Sequence, residues 1–354
     1  RAMSVLCCPA ISVPEHTIDM EQTLELARQL HPHHKNLSLI LRLIKNTGVK
    51  KRHLVQSIEK TLHHPGFEER NLTYVHEAKK RLPAVIETAL KNAQVSAEQI
   101  NAIIFVSCTG FTMPSLTAWI INNLGFRNDT RQLPIAQLGC AAGGAAISHA
   151  HNFCQAYPEA NVLIVACELC SLCYQPSDLN IGNLLSNGLF GDALGAAVVR
   201  GQGGRGMRLE HNGSRLVLGT EDWISYAVKN TGFHFQLDRR VPGTMEQLAP
   251  QLRAMASVHD WDVEQLDFYI IHAGGPRILS DLSHFLQVDL DLFEHSQATL
   301  TEYGNVASVV VLDALRRQFV AGLPDGSRGI IAGFGPGITA EIVLGTWQGN
   351  GPSQ

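Results

Sequence analysis

Charge is scarce in this chain of 354 residues: Asp, Glu, Lys and Arg together make up 17%, and the formal net charge is -4. No dense Lys/Arg run occurs, so the electrostatic footprint that nucleic-acid binding needs is missing and a small molecule is the expected partner. An uncharged apolar run of about eighteen residues, the length a spanning helix requires, is also absent. The apolar start over 5–11 is short, is broken by Pro9 and lacks a signal-peptide layout. A soluble, cytoplasmic protein without a membrane partner is therefore expected. Eight cysteines in so long a chain are too sparse for a disulfide scaffold, and several sit inside apolar strand-like runs, which reads as reduced thiols. Arg1 and Ala2 ahead of Met3 read as an added remnant and carry no weight in the fold.

What is abundant is apolar side chain, at 45% of residues, enough for a large buried core in one double domain or two domains. The first third reads as helices: one over 20–30 capped by Asp19, one over 37–44, and one over 74–92 with Pro83 as a bend. Buried strands over 103–106 and 162–166 then alternate with a small-residue helix over 141–153, which makes the class α/β. A weak repeat is visible. Glu98-Gln99-Ile100-Asn101 leads into the first of these strands as Glu264-Gln265-Leu266-Asp267 leads into an apolar run over 268–271. Gly139-Cys140 and Gly304-Asn305 each precede an apolar helix and then a strand, again about 165 residues apart. Two matches at nearly one offset suggest a duplicated α/β unit in which Cys140 and Asn305 occupy equivalent turns. The glycine-rich run 201–206, extended to 210, is the expected junction.

Cys140 lies where a strand-like run turns into a helix of small residues. Unpaired N–H groups and the helix dipole favour thiolate there, although an inert buried thiol is the alternative. His272 ends the apolar run and is followed by Ala273-Gly274-Gly275-Pro276, which presents an imidazole at a strand terminus. Taken alone it reads as a structural histidine, and Asn305 taken alone reads as an N-cap for a helix starting near Val306. Together the three supply what acyl transfer needs: a nucleophile, a polarising imidazole and a donor facing an oxyanion. Gly333-Phe334-Gly335-Pro336-Gly337 fits no phosphate-loop spacing and reads as a tight turn between strands. Cys167, Cys170 and Cys173 are evenly spaced, but no fourth ligand accompanies them, and no metal is expected. The clusters His31, His33, His34 and His149, His151 read as surface or packing residues.

The motifs around Cys140, His272, Tyr303-Gly304-Asn305 and Gly333 to Gly337, in this order, resemble the signature of type III polyketide synthases, the chalcone-synthase superfamily. The resemblance covers nearly the whole chain. Through residues 132–140 it is strongest to the bacterial branch that forms 1,3,6,8-tetrahydroxynaphthalene. It implies a thiolase-like αβαβα fold of two related halves, 1–205 with the nucleophile and 206–354 with the His and Asn, assembled as a homodimer across which Met113 reaches. It also implies that Cys140 takes an acyl group from a coenzyme A thioester, held as thiolate by an imidazolium His272. His272 and Asn305 would stabilise the enolate left when a malonyl unit loses carbon dioxide. No cofactor and no acyl carrier protein are implied. Malonyl-coenzyme A would be starter and extender, and five units would supply the ten ring carbons of a naphthalene.

Phe190 and Phe235 match the family's paired gatekeepers, and Phe334 belongs to the substrate pocket. Cys108 and Cys173 stand where plant relatives have threonine, and with Tyr226 they are expected to reshape the cavity for a small starter. Arg42, Arg277 and Ala307 fall at coenzyme A contacts, with Asn46 where relatives often have lysine. Lys45, Lys50, Lys51 and Arg52 are candidates to compensate or simply solvated. The rival readings are a type III enzyme using another acyl starter to make pyrones or resorcinols, a carrier-dependent ketoacyl synthase, and a noncatalytic acyl-coenzyme A binder.

Overall fold

The structure is a computed structural model that describes residues 3–349; Arg1 and Ala2, expected to be a remnant, and residues 350–354 lie outside the described residues. The chain opens with β1 (Ser4–Leu6) and β2 (Ala10–Ser12). A ribbon of β3 (His16–Asp19) and β4 (Lys51–Leu54) follows, enclosing α1 (Met20–Leu30) and α2 (Leu37–Asn46). Asp19 caps α1 as expected. Its carboxylate accepts from Gln22 N at 2.8 Å while the Gln22 side chain accepts from Asp19 N at 2.9 Å, a reciprocal capping box. After α3 (Ile58–Leu62) comes α4 (Phe67–Ala93), which starts well before the expected 74 and runs through Pro83. Its first turns are polar and follow Gly66, which offers no side-chain cap, so no start signal marks them.

The rest of the first half is β5 (Ala102–Val106), α5 (Leu116–Asn123), β6 (Arg131–Ile135), α6 (Ala142–Ala156), β7 (Asn161–Leu169), α7 (Ile181–Ser186) and β8 (Asp192–Arg200). The second half comprises β9 (Gly206–Leu216), the hairpin β10 (Ile224–Lys229) and β11 (Gly232–Leu237), α8 (Thr244–Ser257) and β12 (Phe268–Ile271). It ends with α9 (Pro276–Leu286), α10 (Glu294–Tyr303), α11 (Val310–Ala321), β13 (Arg328–Gly335) and β14 (Thr339–Gln348). Residues 206–210, read as part of the junction, belong to β9, so the link between β8 and β9 is shorter than expected.

One mixed sheet runs β6-β5-β7-β8-β1-β9-β14-β13-β12, with β2 added against β8. β5 is parallel to β7 and β12 is parallel to β13. β7 and β8, like β13 and β14, are antiparallel, and β1 joins β9 antiparallel between the halves. The series β5-β7-β8-β1 is thus repeated as β12-β13-β14-β9, the architectural form of the weak sequence repeat. β6 has no counterpart beyond β12.

Strand side chains alternate between two cores, which is why the runs are apolar throughout. Ile103 and Phe105 of β5 pack toward α4 and α5, whereas Ala102, Ile104 and Val106 pack toward α6. α6 and α11 lie between the half-sheets, with α4 and α5 outside one and α8 and α9 outside the other, giving αβαβα layers. Only small residues let α6 sit there. A Cβ at Gly143 would come 2.4 Å from Ser308 O, and one at Gly144 would come 2.9 Å from Glu341 O. No helix among the described residues is long and apolar enough to cross a membrane.

Candidate active site

Cys140 sits in a 3-10 turn, Gly139–Ala141, that feeds directly into α6. Gly139 takes a φ of +52°, and a Cβ on it would lie 2.7 Å from the Pro336 ring. Gly335 is equally confined, because its Cβ would come 2.6 Å from Ala141 N. The Gly-Phe-Gly-Pro-Gly segment, expected as a turn, instead gives its first three residues to the end of β13 and only Pro336 and Gly337 to the turn before β14, and it clamps the cysteine turn.

His272 follows β12, its N–H donating to Ala332 O at 2.8 Å, and its side chain is buried. Its Nδ1 is buried with no hydrogen-bond partner among the described residues. Asn305 caps the turn that follows it. Its Oδ1 accepts from Ala307 N at 2.9 Å, which orients the amide so that Nδ2 is the end left for a substrate oxygen. Cys140, His272 and Asn305 line one cavity of about 970 Å³, mostly apolar in its walls.

Phe190 and Phe235 line the same cavity with ring centroids 5.4 Å apart at 69°, an edge-to-face pair. Tyr226 on β10 stacks on Phe233 at 5.3 Å and meets Phe235 at 6.4 Å; it is 37% exposed and lines the cavity. Cys108, Cys173 and Phe334 also line it, as does Ala307, which is buried close behind Asn305 rather than at a rim. Arg277 and Asn46 are exposed lining residues. Arg42 is exposed on α2 and does not line the cavity, so it is not brought to the site. Arg52, read from sequence with Lys45, Lys50 and Lys51 as a compensating coenzyme A contact or a solvated residue, is instead 6% exposed and turned inward, because its guanidinium finds backbone and hydroxyl acceptors there. Met113 lies away from the cavity and is exposed.

Local sequence reading missed Glu168, at the end of β7, fully buried beside the site. Cys108 N donates to its Oε1 at 3.0 Å and Cys108 Sγ donates to its Oε2 at 3.1 Å. Burial raises its pKa from the ordinary 4.5 to about 7, against the opposing hydrogen bonds from Cys108. The only sequence signal was a carboxylate ending an otherwise apolar strand.

Burial acts against the expected resting thiolate. Burial, with Glu168 as a second cause, pushes the Cys140 thiol up to about 12, and burial lowers His272 to about 4. Removal from water penalises a lone thiolate and a lone imidazolium alike. Only a partner of opposite charge in the same cavity would offset that penalty for either group.

Two family models match the chain: the N-terminal domain of chalcone and stilbene synthases over residues 4–203 and the C-terminal domain over residues 208–346. The chain is 67% identical over 347 residues to a 1,3,6,8-tetrahydroxynaphthalene synthase of Streptomyces coelicolor, covering 98% of this chain and 93% of the relative. It is 42% identical over 348 residues to a phloroglucinol synthase of Pseudomonas fluorescens, covering 98% of this chain and 99% of that protein. The crystal structure of a Streptomyces coelicolor tetrahydroxynaphthalene synthase superposes with a TM-score of 0.96 at 67% identity, over 97% of this chain and 99% of that one. A germicidin synthase, also from Streptomyces coelicolor, superposes with a TM-score of 0.87 at 26% identity, covering 98% of this chain and all (100%) of that one.

Proposed function

Since this chain belongs to the chalcone and stilbene synthase family, condensing acyltransferases with the thiolase-like fold, we propose that it builds a polyketide from malonyl-coenzyme A alone. Five malonyl units would be joined with decarboxylation and cyclised to 1,3,6,8-tetrahydroxynaphthalene. The observation that carries the reading is the convergence of Cys140, His272 and Asn305 on one apolar cavity. The product assignment is supported by the 67% identity to a synthase of that name.

In this mechanism Cys140 Sγ attacks the thioester carbonyl, and its proton moves through His272 to the departing coenzyme A sulfur. The chain is then an acyl-cysteine thioester. A second malonyl thioester loses carbon dioxide, and the electron pair of the broken C–C bond becomes an enolate. Its oxygen accepts hydrogen bonds from the imidazole N–H of His272 and from Asn305 Nδ2. The enolate carbon attacks the acyl-cysteine, Cys140 leaves and the lengthened chain is on coenzyme A, ready to reload. Phe190 and Phe235 exclude water that would protonate the enolate. Tyr226, Cys108, Cys173 and Phe334 shape the growing chain, while Arg277 and Ala307 are coenzyme A contacts.

Turnover on free coenzyme A thioesters, without a carrier protein, fits a cavity walled by apolar side chains and rimmed by Asn46 and Arg277. Assembly as a homodimer is supported by Met113 at 86% and Phe111 at 56% exposure, apolar side chains that a second copy would cover. The halves are proposed to divide near residue 205, a boundary supported by the gap between the two family-model matches.

Mass spectrometry of the product from purified protein and malonyl-coenzyme A, with no other starter, tests the reading. Tetrahydroxynaphthalene or its oxidised quinone is expected. Pyrones, or no product until another acyl thioester is supplied, would overturn the substrate and product assignment.

A further inference from the structure

Arg52 on β4 is a cation held almost wholly out of water, which is tolerated only when its donors are used. Nη1 donates to Asn187 O at 2.6 Å and to Phe190 O at 3.0 Å, and Nη2 donates to Thr23 Oγ1 at 3.0 Å. Both carbonyls belong to the segment that ends α7 and presents the Phe190 ring to the cavity. That segment is joined directly to the Asn305 turn. Phe190 and Asn305 form an isolated parallel bridge, Asn305 N donating to Leu189 O at 2.8 Å and Gly191 N to Asn305 O at 3.0 Å. The junction has no spare room. A Cβ at Gly191 would lie 2.4 Å from Tyr303 O, and one at Gly304 would lie 2.5 Å from Leu189 O and 3.0 Å from Arg52 Cγ.

We propose that Arg52 is a positioning residue for condensation: its guanidinium locks the Phe190 ring and the Asn305 amide into one unit. Entry past the aromatic pair and stabilisation of the enolate oxygen are then set by a single buried fork. The inference rests on the roles given above to Phe190 and Asn305. Lysine cannot reproduce it, because an ammonium is a point donor that cannot span two carbonyls and a hydroxyl in a fixed plane.

The test is a double-mutant cycle of Arg52→Lys and Asn305→Ala, with kcat and KM for malonyl-coenzyme A decarboxylation and the melting temperature measured for each variant. Asn305→Ala alone is expected to lower kcat about 100-fold, as for loss of one oxyanion donor. Arg52→Lys alone is expected to lower kcat about 10-fold, yet less than about 3-fold when Asn305 is already Ala, because no amide remains to misplace. Losses that multiply, or a loss confined to KM as for a phosphate contact, would overturn the inference. If Asn305→Ala leaves decarboxylation unchanged, the reading of Asn305 fails and the inference falls with it, an outcome separate from the other two. Should Arg52→Lys not fold, Thr23→Val removes the Nη2 partner, together with that hydroxyl's own hydrogen bond to Asp19 O at 2.8 Å. It should show a smaller kcat loss with the same non-additivity, and multiplying losses there would count equally against the proposal.

Discussion

Two turns occupy the same place in the two halves and are used differently. Gly139–Ala141 leads into α6 and Ala307–Val309 leads into α11, and both open on a residue with a φ of +52°. By position Cys140 is therefore matched by Ser308. Asn305 lies just ahead of the matched turn, and its Oδ1 accepts from the N–H of the residue that opens it. A duplicated backbone thus carries the proposed nucleophile in one copy and the orientation of the proposed oxyanion donor in the other. The lesson is that the shared turn supplies geometry, and the side chains on it divide the chemistry.

The sharpest way to break that contrast is to make one substitution at both matched positions. Cys140→Ala is expected to lower polyketide formation by about 10⁴-fold or more, since the acyl group loses its covalent anchor. Ser308→Ala should leave acyl loading intact. Intact-protein mass spectrometry of the acyl adduct, with product analysis, checks both. Normal product from the Cys140 variant would remove the assignment, whereas residual decarboxylation without chain growth agrees with it.

Glu168 lies beside both turns and gives the next largest effect. Its native pKa of about 7 exceeds the ordinary 4.5, so the folded chain holds a proton there more tightly than the unfolded chain does. Stability from this group is fully present below the unfolded value and is lost as pH rises through the folded value, by about 3 kcal/mol over the full range. Glu168→Gln keeps an acceptor for Cys108 N and cannot ionise. Its melting temperature relative to the parent chain should therefore rise at pH 8 and be nearly unchanged at pH 4.5. An equal difference at both pH values would show that the carboxyl does not titrate in this window.

Much of the fold could be read from short-range pattern. Asp19 marked the start of α1, and apolar runs marked β5 and β7, because caps and buried strands are encoded by neighbours. The motif glycines marked the turns around Cys140 and Asn305. What stayed illegible depends on partners distant in sequence. Arg52 read as a coenzyme A contact or a solvated residue until its acceptors on the Asn187 to Phe190 segment were visible, and Glu168 acquires its environment from Cys108, on another strand end. The desolvation of Cys140 was hidden for the same reason. A helix terminus can be inferred from sequence, whereas the desolvation that opposes a thiolate comes from the assembled core.

The smallest effect compares the two left-handed residues themselves. Gly139 adopts its φ without strain, while Ala307 holds the same φ against a Cβ clash. Gly139→Ala would bring both that strain and a methyl 2.7 Å from the Pro336 ring. A destabilisation of about 2–3 kcal/mol is expected, together with lost activity, because the ring clamps the cysteine turn. Ala307→Gly should act in the opposite direction and more weakly. Relief of the left-handed strain is partly offset by the freer unfolded chain, leaving a gain of about 0.5 kcal/mol. Thermal or denaturant unfolding of the two variants measures the pair. If Ala307→Gly instead destabilises by as much as Gly139→Ala, the methyl of Ala307 is a packing element of the cavity wall, and the likeness of the two turns ends at their backbones.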